Sequence, residues 1–326
     1  MSVIHGAGLL SRNLNIRKVY QSARKSCKVF GSEFLLKSLK DVCLFLSQSI
    51  DKIKKKVEEV FAIKFNFKKL QQKSIAAGFN IDFHIFDQID STNSEAKRVG
   101  RQLERITQPQ IFIANHQTAG YGRLKRDFYS PEDSGLYISF LIPVVGKTFN
   151  PGLLTTMTAV ASAEAIQKHF SVQLQIKWVN DLILNKRKVG GILAEAITDP
   201  ITNQLAGVVI GIGVNLYTQS FPAEIQQIAT SLSDQAEAKD QTDFLADFVN
   251  NFLNHLKTYQ NADFMSKYRQ LSSVIGQQVQ VQFQNKTVVG VVETIDDQGR
   301  LILQTTQQRL VISSGEIIHV SPTKSN

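Results

Sequence analysis

The chain carries at residues 177–195 the sequence KWVNDLILNKRKVGGILAE, which combines two strand patterns with a charged turn. Leu182–Leu184 and Gly191–Ala196 are short apolar runs, and the polar residues between them predict a hairpin tip. Downstream, Gly207–Leu216 is another apolar run of strand length, and upstream Leu154–His169 has a helical pattern rich in Ala and Thr. The centre of the chain is therefore predicted to hold several neighbouring strands with a helix before them.

Two features of this stretch have the residue types that binding chemistry needs. Asn180 and Asp181 follow a predicted strand and supply the oxygen ligands that Mg²⁺ prefers. Lys188 precedes two glycines, so its ammonium would lie near a backbone that a substrate can approach closely at Gly191. The same residues also fit an ordinary Asn-Asp turn and a charged hairpin tip. Taken singly, they leave both interpretations open.

The loop Gln117–Arg126 joins two predicted strands and is rich in glycine and positive charge. Gly120 and Gly122 allow the backbone to come close to a ligand, and Arg123 and Arg126 place cations beside that backbone. This combination suits a ligand that carries phosphate. A mobile surface hairpin with ordinary basic residues is the alternative interpretation of the loop.

A third glycine-containing motif, Gly211-Ile-Gly213-Val-Asn215, ends the apolar run at 207–216. It is not a dinucleotide fingerprint, because position 216 is Leu and no helix is predicted to open directly after it. The glycines are expected to let a neighbouring segment or a flat ligand pack against the sheet.

Composition excludes several classes of protein. The 326 residues are 43% hydrophobic and 20% charged, which is unlike collagen-like, low-complexity or mostly disordered chains. No apolar run reaches the roughly 18 residues of a membrane span, so no membrane association is expected. The six histidines show no metal-binding spacing, and the two cysteines, both in the first 50 residues, indicate a reducing compartment.

Positive charge is concentrated at the N-terminus. Residues 1–73 hold 16 basic and 5 acidic residues, a net of +11, so the other 21 basic and 23 acidic residues leave −2 for residues 74–326. Residues 1–32 contain no acidic residue, which fits a transit peptide, a disordered basic tail or an extended reading frame. From Glu33 an amphipathic pattern predicts a long helix, followed by a short Phe-rich strand. We assign 1–75 to a basic, helical extension.

The C-terminal part of the chain changes from helical to strand periodicity. Thr242–Tyr268 is predicted to be a helix, and Phe221–Ile228 a shorter one. After residue 270, short alternating strands separated by Asp/Gly turns predict a small β-barrel of about 50 residues. The predicted boundaries are therefore 76–270 for the central domain and 271–326 for the barrel.

Taken together and in this order, six motifs resemble those of the biotin–protein ligases. They are Asp90-Ser-Thr-Asn93, Gln117-Thr-Ala-Gly-Tyr-Gly-Arg123, Ser130-Pro131 with Leu136–Ser139, Lys177-Trp-Val-Asn-Asp181, Arg187–Glu195 and Gly211–Asn215. The resemblance spans roughly residues 80–320. It implies an α/β (α+β) fold in which a mixed-sheet catalytic domain of the biotin/lipoate-ligase type is followed by a small SH3-like β-barrel.

The resemblance also implies an activity and a set of site residues. Biotin and MgATP would give biotinyl-5′-AMP, and biotin would then pass to one lysine of a biotin carboxyl carrier protein. Lys188 and Arg123 would be catalytic, and Asp181 and Asn215 would serve Mg²⁺. The residues implied to contact biotin or ATP are Ser91, Thr92, Asn93, Gln117, Gly120, Tyr121, Gly122, Arg123, Arg126, Asn180, Asp181, Lys188, Gly191, Gly213 and Asn215.

The chain departs from the family pattern at four positions. Tyr121 replaces the first Arg of the glycine-rich loop, Lys125 replaces its third Gly, Phe128 replaces a Trp, and Val179 replaces a Pro. The first change removes a cation near the phosphates, and the second stiffens the loop.

Two alternative functions remain open from the sequence. A lipoate–protein ligase is less favoured, because its Arg-Arg-Ser-Gly-Gly-Gly-type motif is absent. A bifunctional ligase and DNA-binding repressor has the necessary positive charge, yet residues 32–77 contain no Gly or Pro and no hairpin wing is predicted after the Phe-rich strand. The long helix lacks an obvious turn, although a break at Ser47–Ser49 would give two helices. We expect a cytoplasmic enzyme with a carboxylase carrier protein as its partner, and leave homodimerisation and organellar targeting open.

Overall fold

Two β-sheets organise the part of the chain that the computed structural model describes. That part comprises residues 66–103, 106–144, 149–199, 202, 204–218, 220–233, 241–284 and 286–321. The chain divides into two units between Phe67 and Lys68, and both sheets belong to the second unit. The helices are α1 (Phe67–Ala76), α2 (Thr92–Gln102), α3 (Pro151–Phe170), α4 (Thr242–Thr258) and α5 (Met265–Leu271).

The first sheet is mixed and has seven strands in the order β1-β2-β3-β7-β6-β5-β4. Its strands are β1 (Asp82–Ile89), β2 (Gln110–Gln117), β3 (Gly135–Pro143), β4 (Gln175–Lys177), β5 (Asp181–Leu184), β6 (Arg187–Thr198) and β7 (Leu205–Asn215). Strands β1 and β2 are parallel and are connected through α2, whereas the other neighbours pair antiparallel. The mixed sheet expected from the sequence is confirmed.

Helices pack on both faces of the first sheet because its central strands are apolar on both sides. On β3, Leu141 packs with Ala96 of α2, whereas the adjacent Phe140 stacks on Phe252 of α4 with ring centroids 3.9 Å apart. Successive residues of a strand point to opposite faces, so α2 and α4 cover opposite sides of the sheet. Ser139 lies on the α2 side, which becomes important for the site.

The second sheet is antiparallel, with strand order β11-β10-β9-β8-β12. Its strands are β8 (Gln278–Phe283), β9 (Lys286–Ile295), β10 (Leu301–Gln304), β11 (Arg309–Ile312) and β12 (Glu316–Ser321). The β9–β10 turn contacts the first sheet, since Gly299 O accepts a hydrogen bond of 2.9 Å from the buried indole of Trp178. This contact fixes the β-strand domain beside the end of β4.

Several expectations about individual elements are wrong. The predicted helix Thr242–Tyr268 is interrupted, because α4 ends at Thr258, a 3₁₀ turn follows, and Ala262 adopts a left-handed backbone with φ 61° before α5 begins. The predicted helix at 221–228 is a run of turns. Phe67 begins α1, although the alternation of Phe61, Ile63, Phe65 and Phe67 with polar or small residues predicts that it ends the short Phe-rich strand.

Some expectations lie outside the residues that the structure describes. The basic tail at 1–32 and the long amphipathic helix from Glu33 both fall within residues 1–65. The boundaries at 75/76 and 270/271 stay predictions. Among the described residues, no helix is both long enough and apolar enough to cross a membrane.

The stacked pair of Phe140 and Phe252 yields a stability prediction. Phe252 is 1% exposed, so Phe252→Ala should lower the free energy of unfolding by about 3–5 kcal/mol through lost apolar contact and a cavity. Denaturant unfolding measures the change. Ile75→Ala is the matched control, because that α1 side chain is 57% exposed and its removal should cost less than about 0.5 kcal/mol. Equal losses in the two variants would contradict this account of the core.

Candidate active site

One cleft gathers the motifs that the sequence singled out. It lies on the α2 side of the first sheet, where β6, β7 and the loop after β2 meet residues of β12. Its empty space, counted together with the open solvent at its mouth, is about 900 Å³. The predicted site residues that line it are Ser91, Thr92, Asn93, Gln117, Tyr121, Gly122, Arg123, Arg126, Asn180, Asp181, Lys188, Gly191 and Gly213.

A buried hydrogen-bond network forms one wall of the cleft. Ser91 caps α2 by accepting the Ser94 N–H at 3.4 Å, so Thr92 and Asn93 lie in the first helical turn. Gln117 Oε1 accepts the Thr92 N–H at 2.8 Å. The Ser139 hydroxyl lies 2.6 Å from Asn93 Oδ1 and 2.7 Å from Thr92 Oγ1. The network fixes the direction of each donor and acceptor on this wall.

Glycine on β7 allows this wall to approach the sheet. A Cβ at Gly211 would lie 2.1 Å from Asn93 Oδ1, and one at Gly213 would lie 2.4 Å from the Phe128 ring. Both distances are shorter than any real Cβ contact, so a side chain at either position would displace the residue above it. The sequence expectation that these glycines allow close packing is confirmed.

The loop after β2 folds over the cleft as a small hairpin. Gly122 N donates to Arg126 O at 2.8 Å, and Phe128 N donates to Gly120 O at 2.9 Å. At the tip, Leu124 and Lys125 both have φ 57°, a left-handed backbone that favours glycine. Lys125 thus adopts a backbone conformation that glycine reaches with less strain, which agrees with the glycine of the family pattern at this position.

The two arginines of the loop contact the second sheet as well as the first. Arg123 donates to Asn180 Oδ1 at 3.2 Å and to Gly315 O at 2.9 Å. Arg126 forms a bidentate pair with Glu316, one hydrogen bond of which is 2.9 Å. The hydrogen bond from Arg126 lowers the pKa of Glu316, which stays ionised. Both arginines line the cleft, so a bound anion could take over these contacts.

Lys188 lies at the other end of the cleft, beside Asp181. Its ammonium is 2.6 Å from Asp181 Oδ1, and the side chains are 42% and 24% exposed. Lys188 N donates to Ile228 O at 2.7 Å and Lys188 O accepts from Thr230 N at 2.9 Å, so the backbone of the residue is fixed on both sides. The ammonium is thus held at the cleft by a rigid strand and a single carboxylate.

The two residues predicted to bind Mg²⁺ do not both line the cleft. Asp181 lines the cleft, whereas Asn215 is not among its lining residues. Asn215 Nδ2 donates to Thr230 O at 3.1 Å, and its buried Oδ1 has no hydrogen-bond partner in the described part of the chain. No group of three or more His, Cys, Asp or Glu side chains that could hold a metal lies among the described residues. Mg²⁺ commonly uses one or two protein oxygens together with phosphates, and Asp181 offers oxygens of that kind at the cleft.

Several residues important to the cleft were missed in the sequence-based site prediction. Lys177, Trp178, Phe128, Gly211 and Glu316 line the cleft and were not predicted. Gly120, which was predicted, supports the loop through its hydrogen bond from Phe128 N and does not line the cleft. Glu195 and Ser139 support the Asn93 wall from behind. Gly211 and Lys177 lay within quoted motifs and could have been included, whereas no local sequence signal indicates that Glu316 reaches the loop.

Comparison with known proteins agrees with the fold and the cleft. The profile of the Biotin/lipoate A/B protein ligase family matches residues 85–215, and that of the Biotin protein ligase C terminal domain matches residues 274–320. The chain is 31% identical over 233 residues to the bifunctional ligase/repressor BirA of Bacillus subtilis, covering 69% of this chain and 71% of that protein. It is also 31% identical over 218 residues to the biotin--[acetyl-CoA-carboxylase] ligase of Mycobacterium tuberculosis, covering 64% of this chain and 79% of that protein.

Solved structures show the same fold. The biotin protein ligase from Aquifex aeolicus in complex with biotin and ATP has a TM-score of 0.64 and 24% identity, covering 74% of this chain and 99% of that chain. The matched family model and the Bacillus subtilis relative thus place the chain among the ligases of the biotin/lipoate class. Within that class, the chain belongs to the biotin protein ligase family.

The ionisation of Glu195 gives a pH prediction. Burial alone would raise the pKa of Glu195, but hydrogen bonds from Lys97, Asn93 and Tyr121 outweigh it and lower the pKa below its ordinary value of 4.5. A lowered folded-state pKa stabilises the protein above pH 4.5, and that stabilisation is lost as pH falls through the lowered value. Glu195→Gln should therefore reduce the thermal midpoint about equally between pH 7 and pH 5, with the difference shrinking only below that range. A difference that vanishes between pH 7 and pH 5 would contradict the assignment.

Proposed function

We propose that the protein uses ATP to convert biotin to biotinyl-5′-AMP and transfers biotin to one lysine of a biotin carboxyl carrier protein. The observation that carries this proposal is the cleft, which places the neutral hydrogen-bonding wall at Thr92 and Asn93 in one space with Arg123 and Lys188. A ligand with an uncharged polar head and an anionic tail fits that arrangement. The Mycobacterium tuberculosis relative is named a biotin--[acetyl-CoA-carboxylase] ligase and the Aquifex aeolicus relative was solved with biotin and ATP, which supports the choice of substrates.

The polar wall suits the ring of biotin. A ureido group has one carbonyl acceptor and two N–H donors, and the wall offers both kinds of partner at Thr92, Asn93 and Gln117. Ser91 lines the same part of the cleft and is 3% exposed. Because the wall contains no unpaired cation in the described structure, it favours the neutral ring over the carboxylate. The carboxylate end is thereby directed towards Lys188.

Activation of biotin requires two anions to approach each other. A biotin carboxylate oxygen attacks the α-phosphorus of ATP, the bond from that phosphorus to its bridging oxygen breaks, and pyrophosphate leaves. Lys188, Arg123 and Arg126 reduce the repulsion by offering positive charge where negative charge gathers. Mg²⁺, when bound with ATP, supplies further positive charge on the phosphates. Asp181 would hold it, and Asn180, Gly191 and Gly213 would contact the nucleotide. A role for Asn215 towards the ion stays a prediction from the sequence.

The second step transfers biotin to an amine. The deprotonated lysine amine of the acceptor attacks the carbonyl carbon of biotinyl-5′-AMP, the bond from that carbon to the phosphate oxygen breaks, and AMP leaves. The mixed anhydride also reacts with water, so it must be sheltered until the acceptor arrives. The hairpin formed by Gly120, Tyr121 and Gly122 lies over the cleft and is suited to that role.

Other expectations keep their status as predictions. A homodimer, a cytoplasmic location and DNA binding stay predictions. Residues 1–65, which lie outside the described part of the chain, hold 13 basic and 5 acidic residues and so carry +8 of the net charge of +9. The Bacillus subtilis relative is named both a ligase and a repressor. Lipoate stays the alternative substrate, and parallel ATP–pyrophosphate exchange assays with biotin and with lipoate distinguish the two. Exchange with lipoate alone would overturn the proposal.

Lys188 yields a direct test of the activation step. Lys188→Ala should lower biotin-dependent ATP–pyrophosphate exchange by about 10²-fold or more, because a cation at the reacting phosphate is lost. Lys186→Ala is the matched control, since Lys186 is exposed on the same hairpin tip and does not line the cleft. Exchange by Lys188→Ala at the control rate would remove the main catalytic assignment.

Gly211 tests the biotin wall. Gly211→Ala should raise the KM for biotin about tenfold or more with a much smaller change in the KM for ATP, because the new Cβ displaces Asn93. Steady-state exchange kinetics at varied biotin and varied ATP measure both constants. Ile210→Val is the control, since it removes one methylene group from the opposite face of the same strand. Equal increases in both KM values would argue against Asn93 as a biotin contact.

A further inference from the structure

We propose that Tyr121, Glu195 and Lys97 form a latch that holds the 120–128 hairpin over the biotin wall while the phosphate-binding arginines change partners. This inference rests on the proposed function and adds a positioning role for three residues to it. Neither Lys97 nor Glu195 lines the cleft, and both side chains are largely buried, at 19% and 23% exposure. Their position behind the wall is therefore suited to supporting the loop rather than to contacting substrate.

Glu195 is the centre of the latch. It belongs to β6, and its Oε2 accepts hydrogen bonds of 2.8 Å from both Asn93 Nδ2 and Tyr121 Oη. Its Oε1 lies 2.6 Å from Lys97 Nζ. One carboxylate thus joins the biotin wall, helix α2 and the loop. Movement of the Tyr121 hydroxyl away from Glu195 would release the loop without breaking the wall.

Lys97 keeps the latch charged and in place. Its ammonium is 5.3 Å from the centroid of the Tyr121 ring, within the range of a cation–π contact. The same ammonium forms an ion pair with Glu195, which favours the ionised form of the carboxylate. An ionised carboxylate accepts strong hydrogen bonds. Tyr121 is therefore held at both its hydroxyl and its ring.

A bound phosphate would change the contacts of the loop arginines but not those of the latch. Arg123 and Arg126 contact Asn180, Gly315 O and Glu316, and in the proposed reaction both arginines turn to phosphates. Those contacts are then lost or rearranged. The bond from Tyr121 to Glu195 uses no cation that the phosphates need, so it persists through activation. This hydrogen bond also gives Tyr121 a role at the position where the family pattern has the first arginine of the loop.

The functional consequence is retention of the activated intermediate. An open hairpin exposes biotinyl-5′-AMP to water, which attacks the same carbonyl carbon that the acceptor amine attacks and yields biotin and AMP. With a weakened latch, the enzyme would therefore convert ATP to AMP without transferring biotin to the acceptor. The ratio of AMP formed to biotin transferred reports this loss, and a general loss of stability does not raise it.

The first arm of the experiment measures how often the hairpin opens, through its rate of proteolytic cleavage, and does not depend on ligase activity. Tyr121→Phe removes the hydroxyl and keeps the ring, and Tyr129→Phe is the matched control, since Tyr129 follows the hairpin and lies outside the cleft lining. Trypsin cleavage after Arg123, Lys125 and Arg126 is followed by mass spectrometry. We expect Tyr121→Phe to raise the cleavage rate about three- to tenfold, the range that corresponds to the net contribution of one typical intramolecular hydrogen bond. Tyr129→Phe should match the wild type.

The second arm measures AMP formed per biotin transferred to a carrier fragment in the presence of biotin and MgATP. We expect a ratio near one for the wild type and Tyr129→Phe, and a ratio raised about threefold or more for Tyr121→Phe and Glu195→Gln. An unchanged cleavage rate in Tyr121→Phe would overturn the latch. Faster cleavage with an unchanged ratio would overturn its role in retention. If the wild type transfers no biotin, the proposed function fails, while the cleavage arm still decides whether the latch exists.

Discussion

The site depends on the close approach of Asn93 to the bare backbone of β7 at Gly211. Because no side chain separates them, the first turn of α2 sits directly on the sheet, and the Asn93 amide reaches Ser139 on β3 and Glu195 on β6. Three strands and one helix are thereby fixed relative to each other by a single side chain. A rigid polar wall of this kind is what allows a neutral ring to be recognised by hydrogen bonds.

Charge is distributed around that wall in pairs that can exchange partners. Lys188 contacts Asp181, Arg126 contacts Glu316, and Arg123 contacts neutral oxygens. Each of these cations has a protein partner, yet each lines the cleft, where phosphate can replace that partner. The cleft therefore avoids unpaired buried charge while keeping its cations available.

The two sheets contribute unequally to the site. The first sheet supplies the wall and Lys188, whereas the second supplies Glu316 and Gly315 O, which steady the loop arginines. Trp178 carries the second connection, because its indole donates to Gly299 O directly beside the strand end that bears Asn180 and Asp181. The C-terminal sheet is thus part of the site's support rather than an appended module.

The amino-acid sequence by itself determined the family, the mixed sheet with a β-strand domain after it, and thirteen residues that line the cleft, because motifs in a fixed order and apolar periodicity are local properties of the chain. It failed where the outcome depends on contacts distant along the chain. The break of the 242–268 segment at Thr258 is one such outcome. Only the tertiary structure decided that Glu195 joins Tyr121 to Asn93 and that Glu316 reaches Arg126, since residues 74 to 190 positions apart meet only after the sheets have formed.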